Sequence, residues 1–370
     1  MEWGNDSAVR RSLRQFRDKY FINSRNAASK NAEGEDEDAS FGLLESLPAD
    51  IQFHIMTFLS PEDLCRLGGT CRYWRSVVRD PLLWRYFLFR DMILWPSIDH
   101  TSMPHLGALD TPLHEDRDQD FMAEYLRSCP ACRRRWRPPR PAYGAVASFL
   151  QSLLLSAEPR FAMFGPGLEQ LEVSLMTKLM HSPHVLPVAG IPQRQIDGVG
   201  SGISFMFNNQ HRFNILTLYS TNRSERERAR VNQQSLRSKL FVQQEDGQAD
   251  GPAYSIVPQI QEVCRAVDGF IYVANAEIQR GARREEEESQ LQAMLDSAWG
   301  PSSRPLLVLS CVSREEPGST GTRTPCVVLA RQLNLQNLQN PWMVQDIVAE
   351  SLMGVLDGVG WLLGGCGVRL

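Results

Sequence analysis

Between Leu47 and Arg85 the chain reads LPADIQFHIMTFLSPEDLCRLGGTCRYWRSVVRDPLLWR, too apolar for a solvated surface and too interrupted for one long helix. Pro48 suits the first turn of a helix, where its missing N–H costs nothing. Ile51, Ile55, Phe58 and Leu59 then share one face. Ser60-Pro61-Glu62-Asp63 restarts the chain, with Ser60 as N-cap, Pro61 at the first helical position and Asp63 at the third. Leu64 and Leu67 form the next apolar face, and Gly68-Gly69 end it. Thr70 caps a third helix carrying Tyr73, Trp74, Val77 and Val78. Three helices this short cannot enclose so many large side chains, because below about 40 residues a domain rarely folds unaided. Part of this surface lies against something else, either the rest of the chain or a partner, and composition does not separate the two.

The residues themselves go further. Leu47-Pro48-x-Asp50-Ile51, Ile55-x-x-Phe58-Leu59-Ser60-Pro61-x-Asp63-Leu64-Cys65-Arg66-Leu67, Thr70-Cys71-Arg72-x-Trp74-Arg75 and Asp80-Pro81-x-Leu83-Trp84-Arg85 together resemble the F-box family. That resemblance implies docking on the Skp-type adaptor of a cullin–RING ubiquitin ligase. It implies that Leu47, Pro48, Ile51, Ile55, Phe58, Leu64, Leu67, Trp74 and Trp84 either touch the adaptor or hold the box in shape. The likeness continues through SFLQSLLLSAEPRFAMFGPGLEQL, IPQRQIDGVGSG, NNQHRFNILTLYST, VDGFIYVANAE, RPLLVLSC and NPWMVQD. F-box receptors of that kind pair the box with a C-terminal domain shaped like a small GTPase. The chain is then expected to be a non-catalytic substrate-recognition subunit, with the adaptor, cullin and RING subunits as partners and a telomere-repeat-binding factor and D-type cyclins as substrates. An inactive GTPase-like scaffold, not coupled to ubiquitination, is the alternative.

The expected organisation is α+β and multidomain. Residues 1–45 read as a mostly disordered regulatory or dimerisation arm, with an amphipathic stretch from Val9 to Ile22, serines Ser7 and Ser12 beside basic residues, and an acidic run from Glu33 to Asp38. That amphipathic stretch suits a homodimer and equally a helix lying on its own domain. Residues 46–95 hold the box and following helices, and 96–142 a linker ending in the stiff, arginine-rich CRRRWRPPRP. From 143 to 370 helix-period segments alternate with near-continuous apolar strands, the mark of a parallel α/β sheet covered on both faces. RFAMF, ISFMFNN, FNILTLYST, DGFIYVANA, PLLVLSC and PCVVLA read as strands, with a hairpin turn at Asn208-Asn209-Gln210. GLEQLEVSLMTKLM reads as one helix, with Leu168, Leu171, Leu175 and Leu179 on one face; YSIVPQIQEVCRAV reads as a helix interrupted at Pro258, and REEEESQLQAMLDSAW as helical. PWMVQDIVAESLMGVLDGVGWLLGG reads as a closing helix with glycine at its end.

Phosphate chemistry is the obvious question for such a domain. RFAMF runs into Gly165-Pro166-Gly167-Leu168, the right place for a phosphate loop, but no lysine follows until Lys178, and Pro166 lacks an N–H donor. Asp197–Gly202 precedes a strand, and Val312-Ser313-Arg314-Glu315 lacks a guanine-reading Asn-Lys-x-Asp. No cofactor is expected. His211 follows a turn and reads as a surface or capping group. The eight cysteines are scattered, and Cys264, Cys311 and Cys326 lie in apolar runs as core thiols. Cys129 and Cys132 have ligand spacing, yet no second pair completes a zinc set, and His181 and His184 lie far along the chain.

A receptor needs a second surface. PCVVLA would be a short edge strand, so Cys326, Val327, Val328, Leu329, Ala330 and Arg331 are the expected substrate-binding residues, through strand addition. The net charge of −4 argues against nucleic acid as the main partner. No apolar run reaches membrane-spanning length and no secretory signal is evident, so a cytoplasmic protein, also nuclear, is expected.

Overall fold

The computed structural model describes residues 44–105, 120–135, 158–190, 200–218, 240–244, 253–277, 284–314 and 323–370. The arm at 1–43, the stretch YGAVASFLQSLLLSA and the charged segment after Thr221 lie outside these residues. Two compact units are present. One takes the chain up to Met92 together with Pro104–Arg133. The other takes Ile93–Met103 together with the chain from Arg134 onward.

The first unit is helical. Helices α1 (Ala49–Phe58), α2 (Pro61–Gly68), α3 (Arg72–Val77) and α4 (Pro81–Asp91) follow the breaks in the sequence. Ser60 caps α2 as its spacing predicts: its hydroxyl accepts from the Asp63 N–H at 3.1 Å and donates to the Asp63 carboxylate at 2.6 Å. The same hydroxyl, ahead of Arg66, holds the Asp63 carboxyl below its usual range. The cap of α3 is Cys71, not Thr70. The Cys71 sulfur accepts from the Trp74 N–H, while the Thr70 hydroxyl donates back to the Leu67 carbonyl, closing α2.

Helix α5 (Phe121–Ser128), in the stretch read as linker, completes this core. Phe121 and Tyr125 are buried there. The Tyr125 ring lies 5.4 Å from Trp84 and 6.4 Å from Phe87 between centroids, and its hydroxyl donates to Asp91 at 2.6 Å. A short helix, α6 (Pro130–Arg135), follows.

The second unit holds a mixed eight-stranded sheet. Its strands are β1 (Ser97–Asp99), β2 (Arg160–Phe164), β3 (Val188–Gly190), β4 (Gly200–Phe207), β5 (His211–Leu218), β8 (Gly269–Asn275), β9 (Leu306–Val312) and β10 (Trp342–Val348), in the order β1-β10-β9-β8-β2-β5-β4-β3. A separate hairpin pairs β6 (Phe241–Gln244) with β7 (Ala253–Ile256). The central pairs, β10 through β5, are parallel; the outer ones are antiparallel. Every residue of β8 and β9 is buried, which is why these strands read as unbroken apolar runs rather than alternating ones. One face carries Phe161, Met163, Ile271, Val273, Leu307 and Leu309, packed against Val359, Leu362 and Leu363 of the closing helix. The hairpin at 208–210 turns through positive φ at Asn208 and Asn209, the left-handed pair that two adjacent asparagines tolerate.

Three segments depart from the sequence reading. GLEQLEVSLMTKLM is two helices, α7 (Gly167–Gln170) and α8 (Leu175–His181), the second restarted by Ser174 as N-cap. Leu168, Leu171, Leu175 and Leu179 are all buried nonetheless. Pro258 opens α9 (Pro258–Ala266) and does not interrupt it, because YSI before it belongs to β7. WMVQDIV is strand β10, so the closing helix, α12, covers only Val355–Gly365. The helix α10 (Glu285–Leu295) lies where REEEESQLQAML predicts it.

Candidate docking surface

The nine residues of the box motif divide by direction. Leu64 and Trp84 are fully buried and Trp74 nearly so. The Trp84 indole N–H donates to the Val78 carbonyl at 2.6 Å, pinning the turn between α3 and α4. These three hold the unit together and offer nothing to a partner. Helix α1 is inverted relative to an ordinary surface helix. Its buried side carries Gln52, Phe53, Met56 and Thr57, while Ile51, Ile55 and Phe58 face solvent at 43%, 37% and 78% exposure. Pro48 is exposed as well, and Leu47 and Leu67 are half-buried. Sequence periodicity finds the apolar face of α1 but not which way it points.

Polar contacts fix this orientation. The Gln52 amide donates to the Leu47 carbonyl at 2.9 Å and to the Glu45 carbonyl at 3.2 Å, and its oxygen accepts from the Tyr73 hydroxyl at 2.7 Å. Arg90 of α4 donates to the Thr57 carbonyl at 2.9 Å. A buried glutamine with its amide satisfied on both sides makes rolling α1 over costly, since unmade buried hydrogen bonds cost about 1–3 kcal/mol each. The face left outward is a contiguous set of large apolar groups at i, i+4 and i+7, the spacing of a helix that packs against another surface. Leu44, at 49% exposure, and Tyr73, at 39%, are exposed large apolar groups of the same unit. Neither was singled out by the motif, although the apolar pair Leu43-Leu44 just before it was a visible signal.

The expected substrate strand does not exist. Cys326–Gln332 is a helix, α11, with Pro325 as its N-cap residue. Cys326, Val327, Leu329 and Ala330 are buried in it; Val328 is half-buried and Arg331 exposed. The Cys326 thiol donates to the Asp346 carboxylate at 3.1 Å, with burial, then Asp346, pushing the thiol well above its usual range. An apolar run of this length fits a helix face as well as a strand, because its buried positions fall at i, i+1, i+3 and i+4. Strand addition at Cys326–Arg331 is therefore ruled out as drawn.

The loop after β2 is shaped by packing on β8. Gly165 sits at φ +121°, and a Cβ on it would come 2.5 Å from the Val273 carbonyl oxygen. Beyond it the Asn275 amide donates to Gln170 at 3.1 Å, joining the ends of β8 and α7. At the end of β9, the Ser313 N–H donates to Glu277 at 2.5 Å, and Arg314 pairs with Glu172 at 3.2 Å. His211 starts β5, half-buried. Cys129 is buried and Cys132 half-buried, and among the described residues no group of three or more His, Cys, Asp or Glu is placed to hold a metal. No helix among the described residues is long and apolar enough to cross a membrane.

Comparison with known proteins places the helical unit first. A family model described as F-box-like matches residues 44–90, the span of α1 to α4. Over nearly the whole chain the sequence is similar to "F-box only protein 4" of Bos taurus, 50% identical over 98% of this chain and 93% of that protein. Its similarity to "F-box only protein 4" of Homo sapiens is 51% over 92% of this chain and 88% of that one. "F-box/LRR-repeat protein 5" of Danio rerio is similar over a shorter span, 34% identical across 20% of this chain and 10% of its own length.

Proposed function

The chain belongs to the F-box only protein 4 family, and from that premise we propose that it is the substrate-recognition subunit of a Skp–cullin–F-box ubiquitin ligase. The observation that carries this reading is the outward apolar face of α1, inside the matched region, on a unit whose Phe53, Met56, Leu64, Trp84 and Phe87 are buried. In this reading the adaptor covers Leu44, Pro48, Ile51, Ile55 and Phe58, and links the chain to the cullin and RING subunits. The α/β unit, which we read as an inactive relative of the small GTPases, holds a protein substrate for ubiquitination and degradation. A telomere-repeat-binding factor and D-type cyclins are the proposed substrates, and the cytoplasm, with a nuclear fraction, the proposed location. The protein contributes position rather than chemistry: it shortens the distance between a bound protein and the ligase's transfer machinery.

The test is affinity capture of the full-length chain from proteasome-inhibited cells, against an Ile55→Asp/Phe58→Asp variant. Both side chains are exposed, so the variant keeps its core. The expected result is loss of adaptor and cullin with other captured proteins retained. Equal recovery of adaptor and cullin by both forms overturns the assignment of this face.

A further inference from the structure

Helix α3 carries a second exposed feature, and it is charged. Arg72, Arg75 and Arg79 are all exposed and stand at i, i+3 and i+7, the first two on the helix and the third in the turn just past its C-cap, Val78. On neighbouring α2 the one arginine is neutralised at home: Arg66 pairs with Glu62 at 2.7 Å and Asp63 at 3.0 Å. The stripe is not. Among the described residues Arg72 and Arg79 make no ion pair or hydrogen bond, and Arg75 reaches only the Gly68 carbonyl, at 3.4 Å. Three like charges on one face repel one another by a few tenths of a kcal/mol per pair. That arrangement favours an anionic occupant.

We propose that this stripe is a docking surface for a run of carboxylates, and that its resident occupant is the chain's own Glu33–Asp38. That segment, EGEDED, carries five carboxylates in six residues and lies outside the described residues. Where the arm enters the fold supports the pairing. The Cys71 thiol, next to Arg72, donates to the Glu45 carboxylate at 3.6 Å, so the chain at Glu45 passes the head of the stripe. Seven residue-to-residue steps lead from Asp38 to Glu45, a reach of about 23–25 Å when extended. The stripe from Arg72 to Arg79 spans only about 10 Å at ~1.5 Å per residue. The tether thus reaches every arginine and supplies an effective concentration of about 1 mM, enough for individually weak ion pairs to be occupied.

The probe is a fluorescein-labelled peptide, NAEGEDEDAS, copied from residues 31–40, titrated against the full-length chain by anisotropy. The competing arm is neutralised as Glu33→Gln, Glu35→Gln, Asp36→Asn, Glu37→Gln and Asp38→Asn together. At ~20 mM salt the peptide is expected to bind this variant about threefold tighter than the wild type, because the resident competitor is gone. At ~500 mM salt the gain should vanish, as screening shortens the Debye length to a few ångströms. Adding Arg72→Gln/Arg79→Gln to the neutralised arm should abolish binding, with Arg72→Gln alone, weakening it severalfold, as the check if the double change fails to fold. Equal affinity for both arm forms overturns the resident-occupant proposal, with an acidic partner left as the stripe's occupant. Binding that survives the arginine changes or high salt, or no binding to any form, overturns the surface itself.

Discussion

Phe58 offers the sharpest separation of surface from core. Of the ~200 Å² on a phenylalanine, 78% exposure leaves about 150 Å² for a partner to cover. At ~25 cal/mol per Å² that is about 4 kcal/mol at most. Phe58→Ala keeps the backbone and Cβ contacts, so roughly half of it, about 2 kcal/mol, should be lost from adaptor binding, or ~30-fold in Kd. Stability should change by less than ~0.5 kcal/mol, because among the described residues the ring meets just one other ring, that of the exposed His54, 4.9 Å away. The assay pairs calorimetric titration of purified adaptor with a urea melt of the same preparation. An unchanged Kd refutes the assignment of α1 as the adaptor face. A stability loss above ~2 kcal/mol refutes the description of Phe58 as an outward residue.

Further outcomes follow from the inward residues. Trp84→Ala should cost about 3–5 kcal/mol of stability, read in the same melt, through the cavity beside Phe87 and Tyr125 and the lost bond to Val78. Gly165→Ala should destabilise by about 2 kcal/mol or more in a thermal melt, since the new methyl meets the Val273 carbonyl and the residue sits at φ +121°. Burial pushes the Cys264 and Cys311 thiols up to about 12, above the ordinary 9.0, so each holds its proton across the neutral range and ionises only as pH rises through about 12. At pH ~8 iodoacetamide should therefore label the exposed Cys65 and spare these two until urea unfolds the chain, as peptide mapping would show.

The sequence was legible where chemistry is local. Ser60-Pro61-x-Asp63 specifies a helix start without reference to anything distant, and the two asparagines at 208 and 209 specify their turn likewise. Legibility ended where one pattern has two solutions. CVVLA suits a strand or a buried helix face, and only its position over Asp346 and β10 decides. WMVQDIV lost its strand identity to the helical run that follows it. The direction of α1 was invisible for a related reason: the buried side is held by Gln52, a polar residue that a hydrophobic pattern assigns to the surface. Strand β1 was missed because three residues with polar neighbours carry no periodicity. Its pairing is supplied by β10, more than 240 residues later, through Ser97 opposite Gln345.

That strand also makes the two halves of the molecule inseparable as pieces of chain. Cut after residue 95, an isolated box lacks Phe121 and Tyr125, and Trp84 and Phe87 both lose the Tyr125 ring packed against them. Begun at residue 143, an isolated sheet lacks β1, and the seven-residue β10 becomes a bare apolar margin open to another copy. A gene rearrangement or splice that kept either half alone would yield a sticky remnant of it.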